Sequence, residues 1–195
     1  MEILVQQIIN GLTTGTLFAL IAIGYTMVYG IIELINFAHG DLFMLGAFLA
    51  LTIVSAMGLE HAGPGGAAGG IALTFVLCMA FCAGLNFLQD RVIYRPIRNA
   101  PKLTPLVSAI GVSFVFMGIG QIWKGVADIN FPDVIPNKNL LGSSSLRFTA
   151  KDLLVILVTV PLMAALTVFV RFTKLGKAMR ATAQNPIAAR LMGID

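Results

Sequence analysis

Between residues 36 and 41 the chain carries an amide, an imidazole and a carboxylate, Asn36, His39 and Asp41, with Gly40 among them, although apolar runs lie on both sides. Such groups bind water or a small polar solute, or cap a helix. A continuous helix through Ile35-Asn36-Phe37-Ala38-His39-Gly40-Asp41 would carry His39 and Asp41 to the edge of a membrane, which is costly. A break at Gly40 removes that difficulty and leaves two readings open. One is an ordinary turn in which Asp41 N-caps a helix starting at Leu42. The other is a broken helix whose exposed backbone faces a cavity, because discontinuous helices are tolerated at membrane depth only where they line protein or water.

Two further polar segments stand out. Gly176–Asp195 reads as two short helices. Ala178–Gln184 forms the first, and Asn185 then caps a second that opens at Pro186 and stops at Gly193, the glycine just past a helix end. Both are too polar to span. They make either an interfacial connector or a docking element for a soluble partner. Tyr94-Arg95-Pro96-Ile97-Arg98 reads, on physics alone, as a topology anchor. In the first apolar run, Thr13 and Thr14 lie between Gly11 and Gly15, which permits close helix packing or a threonine-lined passage. Cys78 and Cys82, one helical turn apart with no histidine near, read as packing residues and not as a disulfide or metal pair.

The elements that position these groups follow from composition. Of the 195 residues, 57% are hydrophobic and 11% are charged, against about 25% charged in soluble domains. Five stretches reach the ~20 apolar residues that a spanning helix needs: 8–31, 42–59, 71–88, 105–123 and 153–170. None contains Asp, Glu, Lys, Arg or His. The fold class expected is therefore all-α, a polytopic transmembrane helix bundle with short cytoplasmic helices, forming one domain over 1–195.

The formal charge of +4 comes from clusters beside these stretches, so it marks topology and not nucleic-acid binding. Arg91, Arg95, Arg98 and Lys102 follow the third stretch; Arg171, Lys174, Lys177, Arg180 and Arg190 follow the fifth. The positive-inside rule makes both segments cytoplasmic and the N-terminus external. Glu60–Gly70, rich in glycine, is expected as an outer link. Local signals frame the spans: Thr104-Pro105 as N-cap and first turn, Thr149 with Asp152 as a capping box, Tyr94 and Trp123 as interfacial aromatics. Pro161 is expected to kink the fifth helix. Met1-Glu2-Ile3 lacks the basic start of a secretory signal, so the first run reads as a retained span.

Three segments together carry a family resemblance: Ile35–Phe48 (INFAHGDLFMLGAF), Tyr94–Arg98 (YRPIR) and Gly176–Asp195 (GKAMRATAQNPIAARLMGID). In order and spacing they resemble the permeases of branched-chain amino acid ABC importers. The resemblance implies a subunit of the bacterial inner membrane, paired with a second homologous permease and two ATP-binding subunits, and supplied with Leu, Ile or Val by a periplasmic binding protein. It implies that Gly176–Asp195, through Gly176, Arg180, Ala181, Asn185, Pro186, Ala188 and Gly193, contacts an ATPase. Asn36, His39, Asp41, Thr13 and Thr14 are the candidates for the translocation pathway. The family's chains usually run on with further spans, so this chain is expected to be partial.

Other readings are a related permease for urea, short amides or a sugar, and a passive channel or scaffold. A proton- or ion-coupled carrier normally needs ionisable groups within its spans, and the five stretches have none. No Gly-x-x-x-x-Gly-Lys-Ser/Thr sequence is present to bind ATP, so energy for pumping would come from another subunit. No nucleophile–base pair or metal set suggests an enzyme, and no cofactor is expected.

Overall fold

A computed structural model of the chain describes residues 2–32, 36–59, 64–97, 100–101, 103–132, 134 and 147–194, the side chains of 31, 32, 64, 65 and 186 apart. Among the described residues seven α-helices follow one another: α1 (Glu2–Ile32), α2 (His39–Ala56), α3 (Pro64–Gln89), α4 (Leu103–Lys124), α5 (Ala150–Phe172), α6 (Lys174–Gln184) and α7 (Pro186–Leu191). A π turn, Asp90–Tyr94, continues from the end of α3. The first five helices are long and apolar enough to cross a membrane. The architecture is the all-α bundle that the apolar runs demand.

Water is not a workable solvent for these helices. Ile3, Phe18, Phe43, Phe87, Phe114 and Leu157 are all exposed, with many other large apolar side chains. Burying one such side chain is worth roughly 1.5–3 kcal/mol, whereas a whole domain is stable by only about 5–15 kcal/mol. Lipid or neighbouring helices must cover that surface.

Four of the five long helices are longer than their apolar runs, and α2 keeps its length but starts and ends three residues earlier than expected, for identifiable reasons. The link expected over Glu60–Gly70 is overturned in its second half, because α3 starts at Pro64 and takes the glycine-rich run 65–70 into the helix. Proline is favoured in a first helical turn, and a spanning segment must satisfy its backbone internally. Those demands outweigh glycine's ~1 kcal/mol helix penalty. Residues 60–63 lie outside the described residues. At the start of α4, Pro105 does fall in the first turn, but Thr104 is already helical and is not the N-cap. The capping box of α5 is present: Thr149 Oγ1 accepts from Asp152 N, and the Asp152 carboxylate accepts from Thr149 N at 2.9 Å. The helix then runs through Pro161 to Phe172.

The chain divides into two compact units, each described by itself. One comprises Met1–Glu33 and Ile135–Asp195, the other Leu34–Val134. In the first, α5 packs against α1 and α6, and α1 also meets α6. Gln6 clamps the approach to α5: its Oε1 accepts from Arg147 N at 2.7 Å, and its Nε2 donates to Arg147 O at 2.9 Å. In the second, α2 is the central element and packs against α3 and α4. Its core gathers Ala38, Leu42, Leu45, Val112 and Phe116, flanked by Met44, Phe81, Cys82, Leu85 and Ile93.

Cys78 and Cys82 are free thiols on the α3 face that meets α2. Cys78 Sγ lies 3.6 Å from Gly46 O, and Cys82 Sγ 3.9 Å from Leu42 O. A Cβ at Gly46 would come within 2.8 Å of Cys82 Sγ. The glycine therefore lets the thiol sit against the α2 backbone. By contrast, a Cβ at Gly11 or Gly15 would meet nothing within 4 Å among the described residues.

Candidate functional site

The break before α2 is built by Asn36. Its Oδ1 accepts from Ala38 N at 3.1 Å, and its carbonyl accepts from His39 N, also at 3.1 Å. This is the local side-chain turn that asparagine favours. It corrects two expectations. Asp41 does not N-cap a helix at Leu42, since α2 already starts at His39 and the capping position is Ala38. Gly40 is not the break; it lies in the first turn of α2, where a Cβ would meet nothing within 4 Å. Asparagine supplies the turn two residues before the Ala38 capping position, so the helix has no need of the aspartate as its cap.

Asn36 is also the centre of a buried polar node. Gln89 Nε2 donates to Asn36 Oδ1 at 3.2 Å and to Tyr94 Oη at 3.0 Å, and Tyr94 Oη donates to Asn36 Oδ1 at 2.9 Å. Gln89 is 3% exposed and Asn36 8%. Gln89 Oε1 has no hydrogen-bond partner among the described residues. The π turn makes this node possible. In an α-helix of 3.6 residues per turn, residues five apart point about 140° away from one another. The wider i→i+5 winding, marked by Arg95 N donating to Asp90 O at 2.8 Å, returns Tyr94 to the face of Gln89. Single π turns of this kind are frequent at functional sites. Tyr94 was expected as an interfacial aromatic and as part of the Tyr94–Arg98 anchor; the polar contacts of its hydroxyl with Asn36 and Gln89 were not foreseen. Ile35, Arg98 and Lys102 lie outside the described residues.

Asp41, in the first turn of α2, accepts a hydrogen bond from Ser113 Oγ on α4. His39 is half-buried, three residues after Asn36. Asn36, His39 and Asp41 thus gather at one end of α2, in the unit Leu34–Val134. Thr13 and Thr14 belong to the other unit and are not shown to join them. Thr13 is buried, with its hydroxyl donating to Ile9 O at 3.1 Å, and Thr14 is exposed. Sequence reasoning missed Gln89 and Ser113. Both carry weak signals, since each is a polar residue in or at the end of an apolar run.

The second candidate element follows α5. Thr173 serves as C-cap of α5 and N-cap of α6, its side chain accepting from Gly176 N. The first short helix therefore begins at Lys174 and not at Ala178. Asn185 Oδ1 accepts from both Ile187 N and Ala188 N at the start of α7. The end of α7 is a Schellman motif: Ile194 N donates to Ala189 O and Gly193 N to Arg190 O, with Gly193 at φ +81. Asn185 and Gly193 therefore act as the cap and stop expected of them. Ile187, Leu191 and Met192 are strongly exposed and form an apolar ridge, while Ala189 is buried. Ala188 and Arg190 are exposed, and Ala181 is half-buried.

Five membrane-length helices, a polar interruption between the first two and a pair of short capped helices after the fifth define a polytopic membrane protein. A sequence model described as "Branched-chain amino acid transport system / permease component" matches residues 7–195, and the chain belongs to that family. It is 38% identical over 196 residues to the high-affinity branched-chain amino acid transport system permease protein LivH of Salmonella typhimurium. Identity is 37% over 193 residues to LivH of Escherichia coli and 38% over 196 residues to the corresponding protein BraD of Pseudomonas aeruginosa. Each alignment covers 97% of this chain and 62% of the relative, so the chain spans about three fifths of their length. No solved structure matches the chain.

Proposed function

We propose that this chain is part of a membrane-spanning permease subunit of an ABC importer that carries branched-chain amino acids, Leu, Ile or Val, across the bacterial inner membrane. The observation that carries this reading is family membership over 7–195, with relatives at 37–38% identity named as high-affinity branched-chain amino acid permeases. In this reading a second, homologous permease completes the membrane passage, two ATP-binding subunits supply the energy, and a periplasmic binding protein delivers the solute. The N-terminus lies outside, with the segment around Tyr94 and the α6–α7 pair in the cytoplasm. The basic residues at those two places support that orientation.

The α6–α7 pair is the docking element for the ATP-binding subunit. A six-residue helix such as α7 is not stable alone in water, and its exposed ridge of Ile187, Leu191 and Met192 offers a surface for a groove to grip. His39 and Asp41, at the polar start of α2, are the groups of this unit best suited to meet a polar solute. Asn36 holds the break open for them, and Thr13 and Thr14 remain candidates on α1. The reading is tested by reconstituting the full-length protein with a partner permease, ATP-binding subunits and a periplasmic binding protein from the same organism. Leucine-stimulated ATP hydrolysis and leucine uptake are expected. Stimulation by urea or a short amide, with none by Leu, Ile or Val, overturns the substrate.

A further inference from the structure

The junction between α5 and α6 is one residue long, yet three separate features fix its angle. Thr173 is extended, at φ −77 and ψ 157. Its Oγ1 donates back to Phe169 O at 2.6 Å and accepts from Gly176 N at 3.0 Å. Gly176 is buried, and a Cβ there would lie 2.6 Å from Phe169 O and closer still to Val170 O. Those obstacles are main-chain atoms of the last turns of α5, which cannot swing aside as a flexible side chain can. Arg180, further along α6, reaches back so that Nη2 donates to Arg171 O at 3.0 Å. A cation there also sits favourably at the negative end of the α5 dipole.

Gly176 thus serves close approach and not flexibility. The last turn of α5 is tied to α6 at its start by Thr173, at its first turn by Gly176 and at its second turn by Arg180. α1 packs against both helices. We infer that the α5–α6 junction is a rigid corner through which movement of the docking helices is passed to α5, with Thr173, Gly176 and Arg180 as positioning residues. This rests on the docking reading above. It also assigns Arg180 a contact within the chain itself, so its loss would act on the corner before it acted on any partner.

Two readouts in the full-length protein, assembled with its partner subunits in nanodiscs and with native cysteines replaced, keep the corner and the docking reading apart. The first is the electron–electron distance between spin labels at Val168→Cys on α5 and Gln184→Cys on α6, both exposed positions. The second is crosslinking of Ala188→Cys to the ATP-binding subunit, together with leucine uptake. The parent is expected to give one narrow distance. Gly176→Ala and Arg180→Gln should broaden or shift it and lower uptake about tenfold while the crosslink persists, and Arg180→Lys should recover part of both. Gly176→Ala alone could fail to assemble; Arg180→Gln, at an exposed side chain, then carries the test. An unchanged narrow distance in both variants, or a broad one in the parent, overturns the rigid corner. A narrow parent distance that the variants broaden, with no crosslink at Ala188 even in the parent, overturns the docking reading and leaves the corner standing.

Discussion

Tyr94 Oη donates to Asn36 Oδ1 at 2.9 Å across 58 residues of sequence, joining the π turn after α3 to the break before α2. A neutral hydrogen bond contributes about 0.5–1.5 kcal/mol net, whereas stranding a buried partner costs about 1–3 kcal/mol. Tyr94→Phe removes one donor and leaves Gln89 Nε2 still bonded to Asn36, so a loss of about 1 kcal/mol is expected. Asn36→Leu removes the acceptor for Ala38 N, Gln89 Nε2 and Tyr94 Oη together. Gln89 and Tyr94 can still bond each other, and about 2–3 kcal/mol is expected to be lost. Thermal unfolding in detergent, followed with a thiol-reactive dye, should rank the proteins as parent, Tyr94→Phe, Asn36→Leu. Equal melting of all three would show that the node does not hold α2 to α3.

The bond from Ser113 to Asp41 changes what substitutions at Asp41 should do. Were Asp41 an N-cap, Asn would replace it well and Ala would cost about 1 kcal/mol. With the carboxylate instead accepting from α4, Asp41→Asn and Ser113→Ala should not be additive. Each alone removes or weakens the same bond, and the freed serine can turn to its own preceding helical turn. A double-mutant cycle is expected to give a coupling of about 0.5–1.5 kcal/mol. Additivity within about 0.3 kcal/mol would mean that the two side chains do not interact.

The apolar runs made the five long helices legible because lipid admits so few other backbones. The caps that rely on side chain-to-backbone bonds within a few residues, at Thr149, Asn185 and Gly193, were legible for the same local reason. The start of α2 was not. Glycine and aspartate at 40 and 41 are stronger breaking and capping signals than Asn36, and nothing local shows that Gln89 and Tyr94 will arrive from α3 to share its amide. The π turn is equally hidden, since Asp90–Tyr94 fits an α-helix by propensity and its extra residue makes sense only once the node is formed. The glycine run 65–70 misled because its turn propensity is a small term beside the demand of a spanning helix. Gly176 was placed in the right segment, but its reason, the backbone of α5, is a tertiary contact.

Packing of α2 on α3 depends on the absence of a side chain at Gly46. A methyl there would approach Cys82 Sγ to 2.8 Å, so the thiol must turn or the helices must part, and overpacking that parts helices typically costs about 1–3 kcal/mol. Gly46→Ala is expected to destabilise within that range, and Cys82→Ala, which removes the sulfur, should recover most of the loss. Failure of the second substitution to rescue the first would place the strain elsewhere in the interface.

Orientation rests on the basic residues. Single cysteines introduced in residues 126–131, after α4, should react with a membrane-impermeant maleimide added from the periplasmic side. Cysteines at Val92 or Ile97 should react only after the membrane is opened. The reverse pattern would invert the chain and move α6 and α7 away from any cytoplasmic partner.

Gly193 ends α7 in the left-handed region, at φ +81. A side chain there costs about 1–2 kcal/mol, least for Asn, whose short polar group tolerates that backbone. Space is not the obstacle, because a Cβ at Gly193 would meet nothing within 4 Å. The penalty is therefore conformational, and it falls on a helix of only six residues. Gly193→Val should fray α7, Gly193→Ala should fray it less and Gly193→Asn least. Because the Schellman bonds from Gly193 N and Ile194 N hold the last turn, amide exchange at Met192, Gly193 and Ile194 should rise in that order of severity, while exchange at Lys177–Ala181 in α6 stays unchanged. If docking needs an ordered α7, the efficiency of the Ala188→Cys crosslink to the ATP-binding subunit should fall in the same order, to roughly a tenth for a loss of 1.4 kcal/mol. A Val variant whose crosslink equals that of the parent would show that the partner reads the ridge without the helix.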